Sequence, residues 1–231
     1  MFTGIVAGRA KVVELVSQPG LVSIRLQLPQ GMTEGLEIGA SVAVEGVCLT
    51  VTELRPEATA FDVMQATLEI TTLHKLVVGS EVNVERSAKE GAEIGGHILS
   101  GHVDTTAEIV GITLPENNKV ITFQLAPQFM RYVFAKGFIA IDGASLTVAA
   151  VDKQRNTFDV WLIPETRRVT TLEGKGIGDR VNIEIERATQ VTVDTIYRFL
   201  EERLGHVLPQ LEALLIDDLS GKPALPGKSG Q

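Results

Sequence analysis

A single cysteine, Cys48, stands in 231 residues, so no intrachain disulfide can hold the fold. No stretch approaches the roughly 18 consecutive apolar residues of a membrane helix. The opening MFTGIVAGRAKVVELV has no charged region followed by an apolar core, so it does not read as a signal peptide. Basic runs are missing as well. Lys and Arg total 21 against 29 Asp and Glu, a net charge of −8. Nucleic acid and anionic membrane surfaces both require clustered cations, so neither is an expected partner. No P-loop, Rossmann glycine fingerprint or G-x-S-x-G elbow occurs. His97 and His102 are five apart; on a strand that spacing puts them on opposite faces, where they cannot share a metal. What is left is a soluble, cytoplasmic chain of ordinary composition, 44% hydrophobic and 22% charged.

What the chain does contain is a repeat. Phe2-Thr3-Gly4-Ile5-Val6 matches Leu99-Ser100-Gly101-His102-Val103 at an offset of 97. Gly46-Val47-Cys48-Leu49-Thr50-Val51 matches Gly143-Ala144-Ser145-Leu146-Thr147-Val148, and Phe61-Asp62-Val63 matches Phe158-Asp159-Val160, at the same offset. Thr71-Thr72-Leu73 then matches Thr170-Thr171-Leu172, and Val82-Asn83-Val84-Glu85 matches Val181-Asn182-Ile183-Glu184, at 99. This places two extra residues between Asp159 and Thr170. The period is too long for a solenoid and suits two tandem domains, 1–95 and 96–188. Each half reads as β: short Val-, Ile- and Thr-rich segments broken by Gly, Asp and Asn. SVAVEG followed by VCLTVT, and FIAIDG followed by ASLTVAAV, predict hairpins with an acidic-Gly turn. A small barrel or sandwich in each half is expected. TVDTIYRFLEERL at 192–204 differs, with Val193, Ile196, Tyr197, Leu200 and Leu204 at helical spacing. Thr192 or Asp194 would cap it and Gly205 would end it. Its apolar stripe must be buried, on this chain or in an oligomer. Beyond it, 205–231 reads as a mobile tail with a short apolar piece at 211–219.

Small polar residues recur at matched positions: Thr3 and Ser100, Cys48 and Ser145, Thr50 and Thr147, Thr67 and Thr166. Taken singly, such residues are usually ordinary strand positions, and a lone cysteine is usually a small buried hydrophobe. Kept together in both halves, they suggest a duplicated pocket for two similar ligands.

MFTGIV, EIGGHILSGHVDTTAE, KGFIAIDGASLTV and VNIEIE, in this order over residues 1–204, resemble the riboflavin synthase family. The resemblance implies an all-β fold of two six-stranded Greek-key barrels followed by a C-terminal α-helix. It implies a homotrimer assembled through that helix (189–204), with lumazine synthase as a further partner. Each barrel would bind 6,7-dimethyl-8-ribityllumazine, and the site would form between barrels of two subunits. The reaction is a dismutation yielding riboflavin and 5-amino-6-(D-ribitylamino)uracil, with no metal or redox cofactor. One lumazine must lose a 7-methyl proton and the other accept a nucleophile at C7. Aimed hydrogen bonds and the holding of two ligands together serve both steps.

Carried over residue by residue, the first-barrel pocket would be Gly4, Ile5 and Val6, then Cys48, Leu49 and Thr50, then Asp62, Val63, Met64, Gln65, Ala66 and Thr67. The second would be Gly101, His102 and Val103, then Ser145, Leu146 and Thr147, then Trp161, Leu162, Ile163, Pro164, Glu165 and Thr166. Lys136 would reach a ligand held by a neighbouring subunit; the plain reading is a solvated turn lysine. His102 would handle protons, with Thr147 and Ser145 beside it, against the plain reading of a core histidine. Cys48 and Ser41 would shape the first-barrel side, and Phe2 and Thr3 the meeting point. Three positions depart from the family pattern: Val47 for a cysteine, Ala66 for an acidic residue that the second half keeps as Glu165, and Glu186 for an aspartate among the family's catalytic candidates. The rival reading, a non-catalytic antenna-like lumazine or flavin binder, would lack the polar residues of the pocket pair; Thr3, His102 and Thr147 are retained.

Overall fold

The computed structural model describes residues 1–205. Residues 206–231, including the apolar piece at 211–219, lie outside them. Twelve strands form two closed antiparallel barrels. The first contains β1 (Gly8–Gln18), β2 (Leu21–Gln27), β3 (Ser41–Val44), β4 (Val47–Arg55), β5 (Ala58–Met64) and β6 (Glu81–Arg86). The second contains β7 (Thr105–Thr113), β8 (Lys119–Gln124), β9 (Phe138–Ile141), β10 (Ala144–Asp152), β11 (Thr157–Leu162) and β12 (Arg180–Ile185). The order around the first barrel is β1-β2-β5-β4-β3-β6, and the second repeats it. β2 pairs with β5 rather than β3, the Greek-key crossing that the family resemblance implies. Short helices α1 (Gln65–Ile70) and α2 (Pro164–Val169) follow β5 and β11.

Alternation explains the cores. Val12, Ile24, Val42, Val51, Phe61 and Val82 fill the first barrel, with every other residue of each strand turned outward. In the second barrel Phe123 stacks on Phe158, ring centres 5.4 Å apart. A fully buried side chain of this size contributes about 1.5–3 kcal/mol. β6 and β12 depart from the usual pattern because both of their faces are buried. Val82 and Val84 enter one core while Asn83 and Glu85 turn the other way, and Val181, Ile183, Asn182 and Glu184 repeat the arrangement. That second, polar face lies between the barrels.

There the two acidic-Gly turns meet. Glu45-Gly46 and Asp142-Gly143 each carry two positive φ angles, as the tight hairpin turn requires. A Cβ on Gly46 would lie 2.7 Å from the Gly143 nitrogen, and one on Gly143 2.9 Å from the Gly46 nitrogen. Asn83 Nδ2 donates to the Asp142 carbonyl (3.0 Å) and Asn182 Nδ2 to the Glu45 carbonyl (2.8 Å). The Asn83 and Asn182 side-chain oxygens accept from Thr171 N (2.8 Å) and Thr72 N (2.7 Å). Each asparagine therefore ties its barrel to the other, and the contact is a local two-fold.

Two carboxylates are buried at this point, and Lys175 supplies the cation. Its Nζ lies 3.3 Å from Asp142 Oδ2 and 3.8 Å from Glu45 Oε2. Burial and the neighbouring Asp142 push Glu45 up to about 8. Burial likewise raises Asp142, against the pull of Lys175. One cation serves two carboxyls, so one of them keeps its proton at neutral pH.

Three expectations are corrected. The two extra residues do not fall between Asp159 and Thr170. The bulge at Val51/Glu53 matches that at Val148/Ala150, and Val51 pairs with Phe61 where Val148 pairs with Val160. Phe61 is therefore equivalent to Val160, and the Phe-Asp-Val match is a coincidence of alternation; the extra residues sit in the turn between β10 and β11. The helix α3 runs Arg187–Leu204, opening five residues before 192. Glu186 precedes it and accepts the Thr189 hydroxyl, so neither Thr192 nor Asp194 caps the start. Its stripe residues Ile196, Tyr197, Leu200 and Leu204 are exposed in the chain alone. His97 and His102 stand outside the regular strands, so strand alternation does not govern them.

A carboxyl raised on folding takes up a proton, so the Glu45 contribution is full below about 4.5 and is lost as pH rises through about 8. Lys175→Met removes the counter-charge. Denaturant titration should find it about 3–5 kcal/mol less stable than the parent at pH 8, as expected for a broken buried pair. The deficit should be smaller at pH 5, where both carboxyls can protonate.

Candidate active site

The segment leading into each barrel carries the repeated polar motifs. Phe2 and Leu99 pair through two backbone hydrogen bonds of 2.9 and 3.0 Å. With Ala43, Ala140 and part of Cys48 they form a small apolar cluster between the barrels. Gly4 and Gly101 follow with φ of 75° and 77°, a conformation that costs glycine little.

The hydrogen bonds exchange these segments relative to the sequence grouping. Ser145 N donates to Gly4 O and Cys48 N to Gly101 O, both at 2.8 Å. A Cβ on Gly4 would lie 2.5 Å from Ser145 Cβ, and one on Gly101 2.6 Å from Cys48 Cβ. The family resemblance groups Gly4, Ile5 and Val6 with Cys48; in the folded chain Gly4 lies on Ser145. Gly101, grouped with Ser145, lies on Cys48, and Val103 packs into the first-barrel core. Each leading segment crosses to the other barrel because the Phe2–Leu99 pairing lies between the two.

Around Ser145 the site is dense. His97 Nδ1 lies 2.6 Å from Ser145 Oγ, and its ring stacks on Phe138 at 5.3 Å. His97 is buried, and its Nε2 meets no hydrogen-bond partner among the described residues. Burial pushes His97 below the ordinary histidine value, with the Glu186 charge acting the other way. The ring is then neutral at neutral pH and able to take a proton from Ser145. A Cβ on Gly96 would lie 2.9 Å from Ser145 Oγ and 2.5 Å from Thr3 O, so this glycine admits the hydroxyl.

The remaining predicted residues divide by strand alternation. Thr50, Asp62, Met64, Gln65, Ala66, Thr147, Trp161, Ile163, Pro164 and Glu165 are exposed; Ser41, Cys48, Thr67, Ser145 and Thr166 are half-buried. Ser41 faces Thr50 across the β3–β4 pair, and Phe138 faces Thr147 across β9–β10. Leu49, Val63, Leu146 and Leu162 turn into the cores, so their side chains are packing rather than pocket surface. Glu165 pairs with Arg168 (2.6 Å) on α2, whereas Ala66 offers no charge on α1. His102 is exposed and follows Gly101, its N–H donating to Ser100 Oγ at 3.2 Å. Lys136 is exposed at a turn with φ of 68°, its N–H donating to Val148 O.

Sequence reasoning passed over His97, treated only as a metal ligand, and the carboxylates Glu85 and Glu184. The repeated VNVE and VNIE blocks signalled the latter, since polar residues repeated inside strands mark a buried polar face.

Fold and site together define a class: tandem Greek-key barrels with matched glycine turns and small polar residues at their seam. A lumazine binding domain model matches residues 3–87 and 100–186, one match per barrel. Riboflavin synthase of Escherichia coli (strain K12) is 52% identical over 204 residues, 88% of this chain and 95% of that protein. Riboflavin synthase of Chlamydia pneumoniae is 44% identical over 87% of this chain and 97% of its own length. Among solved structures, LumP complexed with riboflavin matches with a TM-score of 0.75, covering 81% of this chain and 100% of LumP at 24% identity, a likeness of fold. The chain belongs to the riboflavin synthase family.

Gly101→Ala places a methyl against Cys48 in a strained backbone region, at a cost of about 1–3 kcal/mol. Equilibrium unfolding should register that loss, and fluorescence titration should find lumazine affinity at least tenfold weaker.

Proposed function

We propose that the chain converts two molecules of 6,7-dimethyl-8-ribityllumazine into riboflavin and 5-amino-6-(D-ribitylamino)uracil, with residues 1–95 and 96–188 as its two lumazine-binding domains. The observation that carries the mechanism is the His97–Ser145 hydrogen bond beside the exchanged Gly4 turn. The two pockets are equivalent in backbone and different in chemistry. One joins Ser145 to a buried histidine; the other sets Cys48 against the Gly101 turn, with no histidine bonded to it among the described residues. That difference suits a reaction in which one copy of a compound donates four carbons and the other accepts them.

His97 takes the Ser145 proton as the hydroxyl oxygen adds to C7 of one lumazine. His102 removes the 7-methyl proton of the other. Bringing the two ligands together removes most of the entropic barrier to their meeting. We further infer a homotrimer joined through α3, in which the first barrel of one subunit meets the second barrel of another and Lys136 reaches across. The exposed stripe of α3 supports this, because such a stripe calls for a partner.

Purified protein incubated with lumazine alone should form one riboflavin per two lumazines consumed. Tight binding without product would instead leave an antenna-like binder, with Ala66 and Glu186 as the first suspects. His102→Ala and His97→Gln should each cut turnover about 10²-fold or more, within the usual range for proton transfer, while leaving lumazine binding near the parent value. The parent rate should fall as His97 protonates, at a pH below the ordinary histidine range, and His97→Gln should abolish that limb. Light scattering should report a trimer, and Leu200→Asp should dissociate it together with the activity.

A further inference from the structure

Glu85 and Glu184 are buried carboxylates, 7% and 6% exposed, that the mechanism above does not use. Each closes over one glycine turn. Glu85 Oε1 accepts from Thr3 N (2.6 Å) and Thr3 Oγ1 (2.7 Å), and Oε2 from Gly4 N (3.1 Å). Glu184 Oε1 accepts from Ser100 N (2.7 Å) and Ser100 Oγ (2.7 Å), and Oε2 from Gly101 N (3.0 Å). The held hydroxyls in turn accept from the next turn residue, Ile5 N and His102 N, both at 3.2 Å. Burial raises both carboxyls while the three donors on each pull them down. A carboxylate with two acceptor oxygens fits three converging donors; an amide would turn its own N–H groups against Gly N–H.

The turn each carboxylate holds does not serve the barrel that supplies the carboxylate. Glu85 stands on β6 of the first barrel, and the Gly4 it fixes lies on Ser145 of the second. Glu184 stands on β12 of the second barrel, and the Gly101 it fixes lies on Cys48 of the first. We propose that Glu85 and Glu184 are crossed positioning residues: Glu85 sets the Ser145–His97 pocket of the second barrel, and Glu184 sets the Cys48–Gly101 pocket of the first. The physical reason is leverage. Each turn is bonded on one side by its clamp and on the other by the opposite pocket strand. Release of the clamp therefore frees the far pocket first, and the near one keeps its own strand hydrogen bonds.

This inference rests on the pocket assignment of the proposed function, and its test needs no turnover. Cys48 is the chain's single thiol, so its rate of reaction with 5,5′-dithiobis(2-nitrobenzoate) reports the first-barrel pocket alone. The His97 imidazole resonances report the second-barrel pocket by NMR. In the full-length protein, Glu184→Gln should speed Cys48 labelling about tenfold and leave the His97 signals in place. Glu85→Gln should shift the His97 signals and leave Cys48 labelling within about twofold. Should Glu184→Gln fail to fold, Ser100→Ala removes one donor from the same carboxylate and should change Cys48 in the same direction by a smaller factor. If each variant moves the reporter of its own barrel, or both move both reporters equally, the crossed assignment is overturned. A protein that bound lumazine without converting it would overturn the catalytic reading and leave this result intact.

Discussion

The close approach of Gly46 and Gly143 is the constraint on which the rest of the molecule depends. With no room for a Cβ on either side, the two hairpin turns touch backbone to backbone. That contact sets the local two-fold, and the two-fold sets which polar groups converge. Asn83 and Asn182 each donate to and accept from the backbone of the opposite barrel. Buried and fully satisfied polar networks specify a unique arrangement more strongly than apolar contact alone. The same symmetry brings the Glu45 and Asp142 carboxyls together, an arrangement made tolerable by a retained proton and by Lys175, which breaks the symmetry.

Departures from symmetry recur, and they give the two barrels different characters. Lys175 occupies the position equivalent to Leu76. Lys119 occupies that of Val22, and its ammonium donates to the carbonyls of Leu172, Glu173 and Lys175. The second barrel thus replaces apolar packing beneath its short helix with a buried cation. His97 adds to Ser145 a partner that Cys48 does not have among the described residues. The scaffold is duplicated while the chemistry at its two rims is not.

Much of the fold was legible in the sequence, for identifiable reasons. Strand alternation and acidic-Gly turns are local, and Glu45-Gly46 and Asp142-Gly143 form where the pattern predicts them. The errors came where local pattern carries no positional information. Phe61-Asp62-Val63 and Phe158-Asp159-Val160 look alike because alternating strands look alike, and only the paired bulges show that they are out of register. Helical periodicity begins after the true start of α3 because its first turn, Arg187 to Gln190, carries no apolar residue larger than Ala188. His97 was dismissed as a metal ligand, since nothing in the sequence states that it lies against Ser145.

By itself the sequence determined the duplication, the β character of both halves, the family and the small polar residues at matched positions. Each of these is written in residue type, spacing or order along the chain. Tertiary structure alone decided which leading segment serves which pocket, which carboxylate holds it, and where a single lysine neutralises two acids. Those outcomes depend on contacts between residues about 30 to 140 positions apart, which a twofold contact creates and no local pattern records.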